Sequence, residues 1–293
     1  MSEKNIIASD APQPPDAAAE ELLDREVNLA ETEAEALPAE DLVEEVEPRR
    51  FFILHAASEA QPFIKTGGLA DVLASLPKEQ AAQGNRVAVI LPKYKDIPHH
   101  FVEKMEYLTN FTVQLGWRTQ YCGVFRLEYD GVMYYFVDNE FYFGFSGVYT
   151  DGGPFEAERY SFFCRAVLEV IGHLNLYPDV LHCHDWQSGM IPFLLRTQYS
   201  FNPAYAPIRC AYTIHNLKFQ GRFSWPLVEG MLFVDYRYNN PEALEFNGDI
   251  SFMKGGIVFS DVVTTVSPTY AREIQTEFFG EHLDGLLRSR AGK

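Results

Sequence analysis

The chain has 293 residues, 47% of them hydrophobic, and a formal net charge of −17 from 24 Lys+Arg against 41 Asp+Glu, a length that fits one large domain or a domain with an appendage. Such an acidic balance excludes a surface built for nucleic acid or an anionic membrane, since both need clustered Lys and Arg, and no stretch approaches the ~20 apolar residues of a membrane-spanning helix. The four cysteines, Cys122, Cys164, Cys183 and Cys210, lie far apart with no Cys-x-x-Cys pair, which predicts reduced, mostly buried thiols.

Residues 1–50 hold 15 acidic and 4 basic residues, so they carry −11 of the net charge and leave an ordinary −6 for the rest. They contain almost no aromatics and cannot bury enough apolar area to offset chain entropy, which predicts a disordered acidic extension. Neither a secretory nor a transit-peptide pattern is present there, and a cytoplasmic protein is expected. From Arg50 onward, β-rich runs alternate with helical stretches, the signature of a Rossmann-like α/β domain over 51–293 with a parallel sheet covered by helices on both faces. "FFILHAA" reads as a buried strand, "LADVLASLPKEQAAQ" as a helix stopped at Gly84, and "RVAVILP" as the next strand. "FTVQLGW" and "CGVFRLEYDGVMYYFVDN" then read as a meander or hairpin with a "YDG" turn, inserted between βαβ units. "ERYSFFCRAVLEVIGHL" is helical, "PDVLHCHDW" is a strand leading into the helix "QSGMIPFLLRTQY", "IRCAYTIHN" is a strand, and "ISFMKGGIVFSDVVTTVSP" is a helix followed by a strand.

In this class of fold ligands gather where strand ends lead into helix N-termini, and four polar clusters fall at such places. "KTGGLADV" puts Gly67 and Gly68 at the start of a helix, where backbone N–H groups can approach an anion, with Lys65 adding a full charge. The pattern is neither a P-loop nor Gly-x-Gly-x-x-Gly; it reads either as a pyrophosphate cradle or as a glycine turn beside a solvated lysine. "HCHDW" ends a strand with His182 and His184 on one side and Cys183 on the other. Zinc would need about four ligands with a second defined stretch, and no such pair follows, so no metal is expected. Asp185 serves either a ligand crevice or as N-cap of the next helix. "YTIHNLKFQGRF" ends another strand in His215-Asn216, and in "LEFNGDISFMKGG" Asn247 precedes a helix. Ser267-Pro268 reads as an N-cap with a first-turn proline.

Together, "KTGGLADV", "HCHDWQSGMIPFLL", "YTIHNLKFQGRF" and "NGDISFMKGGIVFSDVVTTVSPTYAREI" resemble the glycogen synthase/starch synthase family, in the family's order and across about Arg50 to Leu287. The resemblance implies a retaining glycosyltransferase of the two-Rossmann GT-B fold, moving glucose from ADP-glucose to the non-reducing end of an α-1,4-glucan. UDP-glucose is the second choice of donor, and no cofactor is implied. Lys65 and the Gly67-Gly68 turn would meet the donor phosphates, with Glu59 and Asp71 lining the same loop. His184 would sit near the donor glucose and present its backbone carbonyl to the anomeric carbon, with Asp185, His215 and Asn216 in the same crevice. Asn247 and Tyr142 would hydrogen-bond sugar hydroxyls. Retention in the family is attributed to same-face attack assisted by the departing phosphate, so no pair of glycosidase-like carboxylates is required.

The sequence departs from the family pattern at "DGLLRSRAGK", where the first Rossmann domain would hand over to a second. The chain is therefore expected to be the N-terminal domain alone, a fragment lacking the C-terminal GT-B domain, and activity of the isolated chain stays open. An alternative is a non-catalytic glucan-binding or regulatory module whose aromatic stretches, "NEFYFGFSGVY" and "FQGRFSWP", stack on sugar rings or simply pack in the core. A nucleotide-binding oxidoreductase would need a glycine fingerprint that is absent.

Overall fold

The structure is a computed structural model and describes residues 49–292; the acidic extension expected over residues 1–50 lies outside the described residues except for Arg49 and Arg50. In chain order the main elements are β1 (Phe52–Ala56), α1 (Gly68–Ala82), β2 (Arg86–Pro92), α2 (His99–Val102), β3 (Glu106–Leu115), β4 (Arg118–Tyr129), β5 (Val132–Asp138), α3 (Glu140–Phe143) and α4 (Pro154–His173). There follow β6 (Val180–His184), α5 (Met190–Leu194), β7 (Arg209–Ile214), β8 (Arg222–Ser224), α6 (Trp225–Leu232), β9 (Glu245–Phe246), β10 (Asp249–Ser251), α7 (Phe252–Phe259), β11 (Val262–Thr265), α8 (Pro268–Glu273) and α9 (Asp284–Arg290).

An eight-stranded sheet in the order β11-β7-β6-β1-β2-β5-β4-β3 forms the centre. The β11, β7, β6, β1, β2 and β5 pairings are parallel, and β4 and β3 continue antiparallel. Every residue of β1 is buried, as expected for a parallel strand covered on both faces, which must read as a continuous apolar run. Helix α4 is embedded along most of its length, from Glu156 to Ile171, while α1 buries Leu69, Ala70, Leu73 and Pro77 on one stripe. These surfaces join one continuous hydrophobic core, and all four cysteines lie in it as free thiols.

The 122–139 stretch differs from the inserted hairpin expected for it. β5 pairs with β2 and belongs to the main sheet, because its run "VMYYFVD" is apolar on both faces and almost wholly buried, which demands an interior position. The Asp130-Gly131 turn joins it to β4 with both residues at positive φ, the geometry of a tight hairpin turn. Among the described residues no helix is long and apolar enough to cross a membrane.

The feature that positions the site is the reversal of strand order at β1. From β1 the chain moves to β2, then to the edge strand β3 and back inward through β4 to β5, before it crosses to the other side of β1 and proceeds outward through β6 and β7 to β11. Right-handed crossovers carry the connections of these two halves to opposite faces, so the loops after β1 and β6 part and leave a crevice at their carboxyl ends.

Candidate active-site cleft

A cleft of about 1010 Å³ opens at this switch point, lined by the loop after β1, the first turn of α1, the 149–152 loop and the segments following β6 and β7. Gly67 is the N-cap of α1 with extended backbone and no side-chain cap, so the first-turn N–H groups of this helix have no partner within it. Both Gly67 and Gly68 line the cleft. Space for a close approach is real there, since a Cβ at Gly68 would meet nothing within 4 Å.

The preceding loop is held by a carboxylate of the protein itself. Buried Glu59 accepts the backbone N–H of Thr66, its hydroxyl at 3.0 Å and the N–H of Gly67 at 3.4 Å. The Tyr149 hydroxyl donates to the same carboxylate at 3.3 Å and bonds Ser58 at 3.2 Å. Burial and the neighbouring Glu59 push the Tyr149 phenol well above its ordinary range. Beyond it, Glu156 ties down the 148–153 loop by accepting the N–H of Thr150 at 3.2 Å and its hydroxyl at 2.5 Å, with Arg159 at 3.2 Å on the same oxygen.

At the end of β6, Asp185 takes φ 55°, a left-handed value that costs a non-glycine residue about 1–3 kcal/mol. The turn aims its carboxylate across the sheet, where Oδ1 accepts the N–H groups of His215 at 2.8 Å and Asn216 at 3.3 Å. It therefore binds the loop after β7 and does not cap the helix that follows it, which corrects the N-cap alternative: the strained backbone points the side chain away from its own helix. Burial pushes this carboxyl up to about 7, with the two N–H donors opposing and Glu59 adding to the rise. Gly221, at φ 57°, completes this wall; a Cβ there would run into the Trp186 ring.

Below the cleft lies a stack of histidines. Parallel register sets His55 beside His182 on neighbouring strands, and the rings of His55, His182 and His184 lie 4.3–5.2 Å apart between centroids. His55 Nε2 bonds Gln80 Oε1 at 2.7 Å, its Nδ1 lies 3.0 Å from His184 Nε2, and His184 Nδ1 lies 3.0 Å from His215 Nε2. His182 Nε2 lies 2.6 Å from the Thr213 hydroxyl. Burial lowers His55 and His215 to about 4 and takes His182 and His184 well below the usual imidazole range. Sequence reasoning missed His55, although a lone polar residue in an otherwise apolar strand marked it. Tyr149 and Glu156 were also missed, because only the fold brings their loop to the cleft.

Of the residues expected at the site, Glu59, Gly67, Gly68, Asp185, His215 and Asn216 line the cleft. Lys65 and Asp71 do not line it; they form an exposed ion pair on the rim at 2.6 Å. The His184 side chain is fully buried in the stack, and its carbonyl accepts the Ser188 hydroxyl at 2.8 Å. One expectation is corrected. Tyr142 is fully buried and gives its hydroxyl to Glu158 at 2.5 Å, because α3 packs its apolar face into the core. Asn247, next to the cleft-lining Phe246, is exposed and with Gly248 forms the positive-φ turn between β9 and β10, an Asn-Gly hairpin turn with β10 between it and α7.

A parallel sheet carrying a glycine-rich helix N-terminus in the crevice of its switch point defines a Rossmann-like, doubly wound α/β domain. Residues 52–289 match the family model described as starch synthase catalytic domain, and the chain belongs to this family. It is 52% identical over 241 residues to the glycogen synthase of Desulforamulus reducens, covering 82% of this chain and 50% of that protein. To the glycogen synthase of Anoxybacillus flavithermus it is 51% identical over 242 residues, covering 82% and 49%. The catalytic domain of starch synthase IV from Arabidopsis thaliana, bound to ADP and acarbose, superposes with a TM-score of 0.77 at 29% identity, covering 84% of this chain and 50% of that one. The fold is thus Rossmann-like of the GT-B glycosyltransferase type, and the chain spans about half the length of the curated relatives it matches.

Proposed function

We propose that this domain contributes the diphosphate cradle and one wall of the active cleft to a retaining glucosyltransferase, which moves glucose from ADP-glucose to the non-reducing end of an α-1,4-glucan. The observation that carries the reading is the open N-terminus of α1 at Gly67-Gly68, facing a cleft large enough for a nucleotide sugar. ADP is favoured over UDP as the nucleotide because the starch synthase neighbour is bound to ADP.

In this reading the leaving diphosphate gains negative charge as the glucosyl bond breaks. Donors aimed at it stabilise the transition state more than the ground state. The α1 N–H groups and partial positive end supply fixed donors. Lys65 adds its charge by exchanging Asp71 for a phosphate oxygen, a short movement for an exposed, flexible ammonium. His215 and Asn216 flank the sugar, and a second Rossmann-like domain closes the cleft. The test is transfer of labelled glucose from ADP-glucose to a maltooligosaccharide by the purified chain, alongside equilibrium binding of both. Donor-dependent elongation supports the reading. Glucan binding with neither nucleotide binding nor transfer would replace it with the non-catalytic glucan-binding module.

A further inference from the structure

The histidine stack admits two physical readings, a metal centre or a hydrogen-bonded chain. One ring nitrogen from each of His55, His182 and His184 lies within 4.8 Å of the others, which invites the first. Metal ligation requires the ion to lie in the plane of each ring, along the nitrogen lone pair. His55 Nδ1 and His184 Nε2 already approach each other edge to edge at 3.0 Å, with centroids 5.2 Å apart, so a lone pair there is taken up by the neighbouring ring. The nitrogens are also already engaged: both of His55, both of His184 and Nε2 of His182 have partners at 2.6–3.0 Å. The chain is the reading the geometry allows.

A neutral imidazole has one donor and one acceptor nitrogen, so a row of them can carry a direction. Gln80 Oε1 only accepts, hence His55 Nε2 bears the hydrogen and His55 Nδ1 is bare. The 3.0 Å contact then requires His184 to donate from Nε2, which leaves His184 Nδ1 bare, and the next 3.0 Å contact requires His215 to donate from Nε2. We infer that Gln80, through His55 and His184, fixes the tautomer of His215, a residue of the cleft lining, so that its remaining ring nitrogen is a bare Nδ1 able to accept a hydrogen bond. Gln80, His55 and His184 are in this sense positioning residues, acting on a residue that lines the cleft.

The consequence is a chemical preference. A bare nitrogen accepts from a hydroxyl and repels a phosphate oxygen, which has no hydrogen to give. His215 is therefore set to face the sugar part of a ligand; that clause rests on the proposed function, whereas the chain itself rests only on geometry. Burial supports the chain by keeping all its members neutral, since an imidazolium would donate from both nitrogens and erase the direction.

The test is made on the ligand-free chain, so that its failure is separable from failure of the glucosyltransferase reading. Long-range proton–nitrogen correlation spectra of the chain labelled with 15N-histidine report which ring nitrogen is protonated. The expected result is Nε2–H with bare Nδ1 at His55, His184 and His215. Gln80→Met removes the acceptor at similar side-chain length and should move the His215 Nδ1 resonance toward the protonated position. Gln80→Glu retains an oxygen acceptor and should preserve the wild-type pattern. A protonated Nδ1 at His215 in the wild type, or a pattern indifferent to Gln80→Met, would overturn the inference.

Discussion

Replacing Asp185 with Asn gives a pH-dependent stability change whose sign and size follow from the structure. The Asp185 carboxyl is raised from an ordinary 3.8 to about 7, chiefly by burial. A raised acid binds more protons in the folded chain than in the unfolded one between these two values. Its penalty is therefore absent below pH 3.8, grows as pH rises, and is complete above pH 7. Converted at 1.36 kcal/mol per pH unit, the full penalty is roughly 4 kcal/mol, of which about a third is already present at pH 5. Asn keeps an oxygen to accept the His215 and Asn216 N–H groups and carries no charge. Relative to wild type, Asp185→Asn should gain about 2–3 kcal/mol of stability between pH 5 and pH 8. Urea unfolding at those two pH values measures this, and comparison with wild type cancels every other titrating group. A difference between the two proteins that stays flat with pH would refute the assignment of a buried, reluctantly ionised carboxylate.

The histidines titrate in the opposite sense. Their folded values lie below the unfolded 6.5, so stability is present above that value and is lost as pH falls toward 4. His55→Gln should flatten the acid limb of the unfolding profile. Lys65→Ala should reduce efficiency with donor about ten- to a hundredfold in an assay where the second domain is supplied, the range expected for a charge-assisted bond to phosphate. It should barely change the melting temperature, because exposed ion pairs contribute about 0–1 kcal/mol. Lys65→Arg should recover only part of the loss. Gly221→Ala should lower the melting temperature and shift tryptophan fluorescence, since its positive φ and the Trp186 ring leave no room for a methyl group.

The strands β1, β2, β6 and β7 were legible because each is a short, largely apolar run bounded by turn or helix signals, the pattern of parallel strands buried on both faces. Ser267 as N-cap was legible too: its hydroxyl accepts the Tyr270 N–H at 3.0 Å, with Pro268 beginning the helix. The position of β5 in the main sheet was not, because hairpin chemistry fixes only its pairing to β4 and says nothing of its other neighbour. At the site, the glycines at the start of α1 were readable from local turn chemistry. The His55–His184 contact joins residues 129 positions apart, a pairing that only the β1–β6 register creates. Tyr142 was misplaced by weighing its hydroxyl above the apolar face on which its ring packs.

The central claim is that the diphosphate of a nucleotide sugar binds at the open N-terminus of α1. Amide proton–nitrogen spectra of the chain titrated with ADP-glucose test it most directly. The account predicts saturable shifts that are largest at Gly68, Leu69 and Ala70, where the first-turn donors meet the phosphates, and that weaken in Lys65→Ala. Saturable binding that leaves these three amides unmoved, or shifts unchanged by Lys65→Ala, would contradict it.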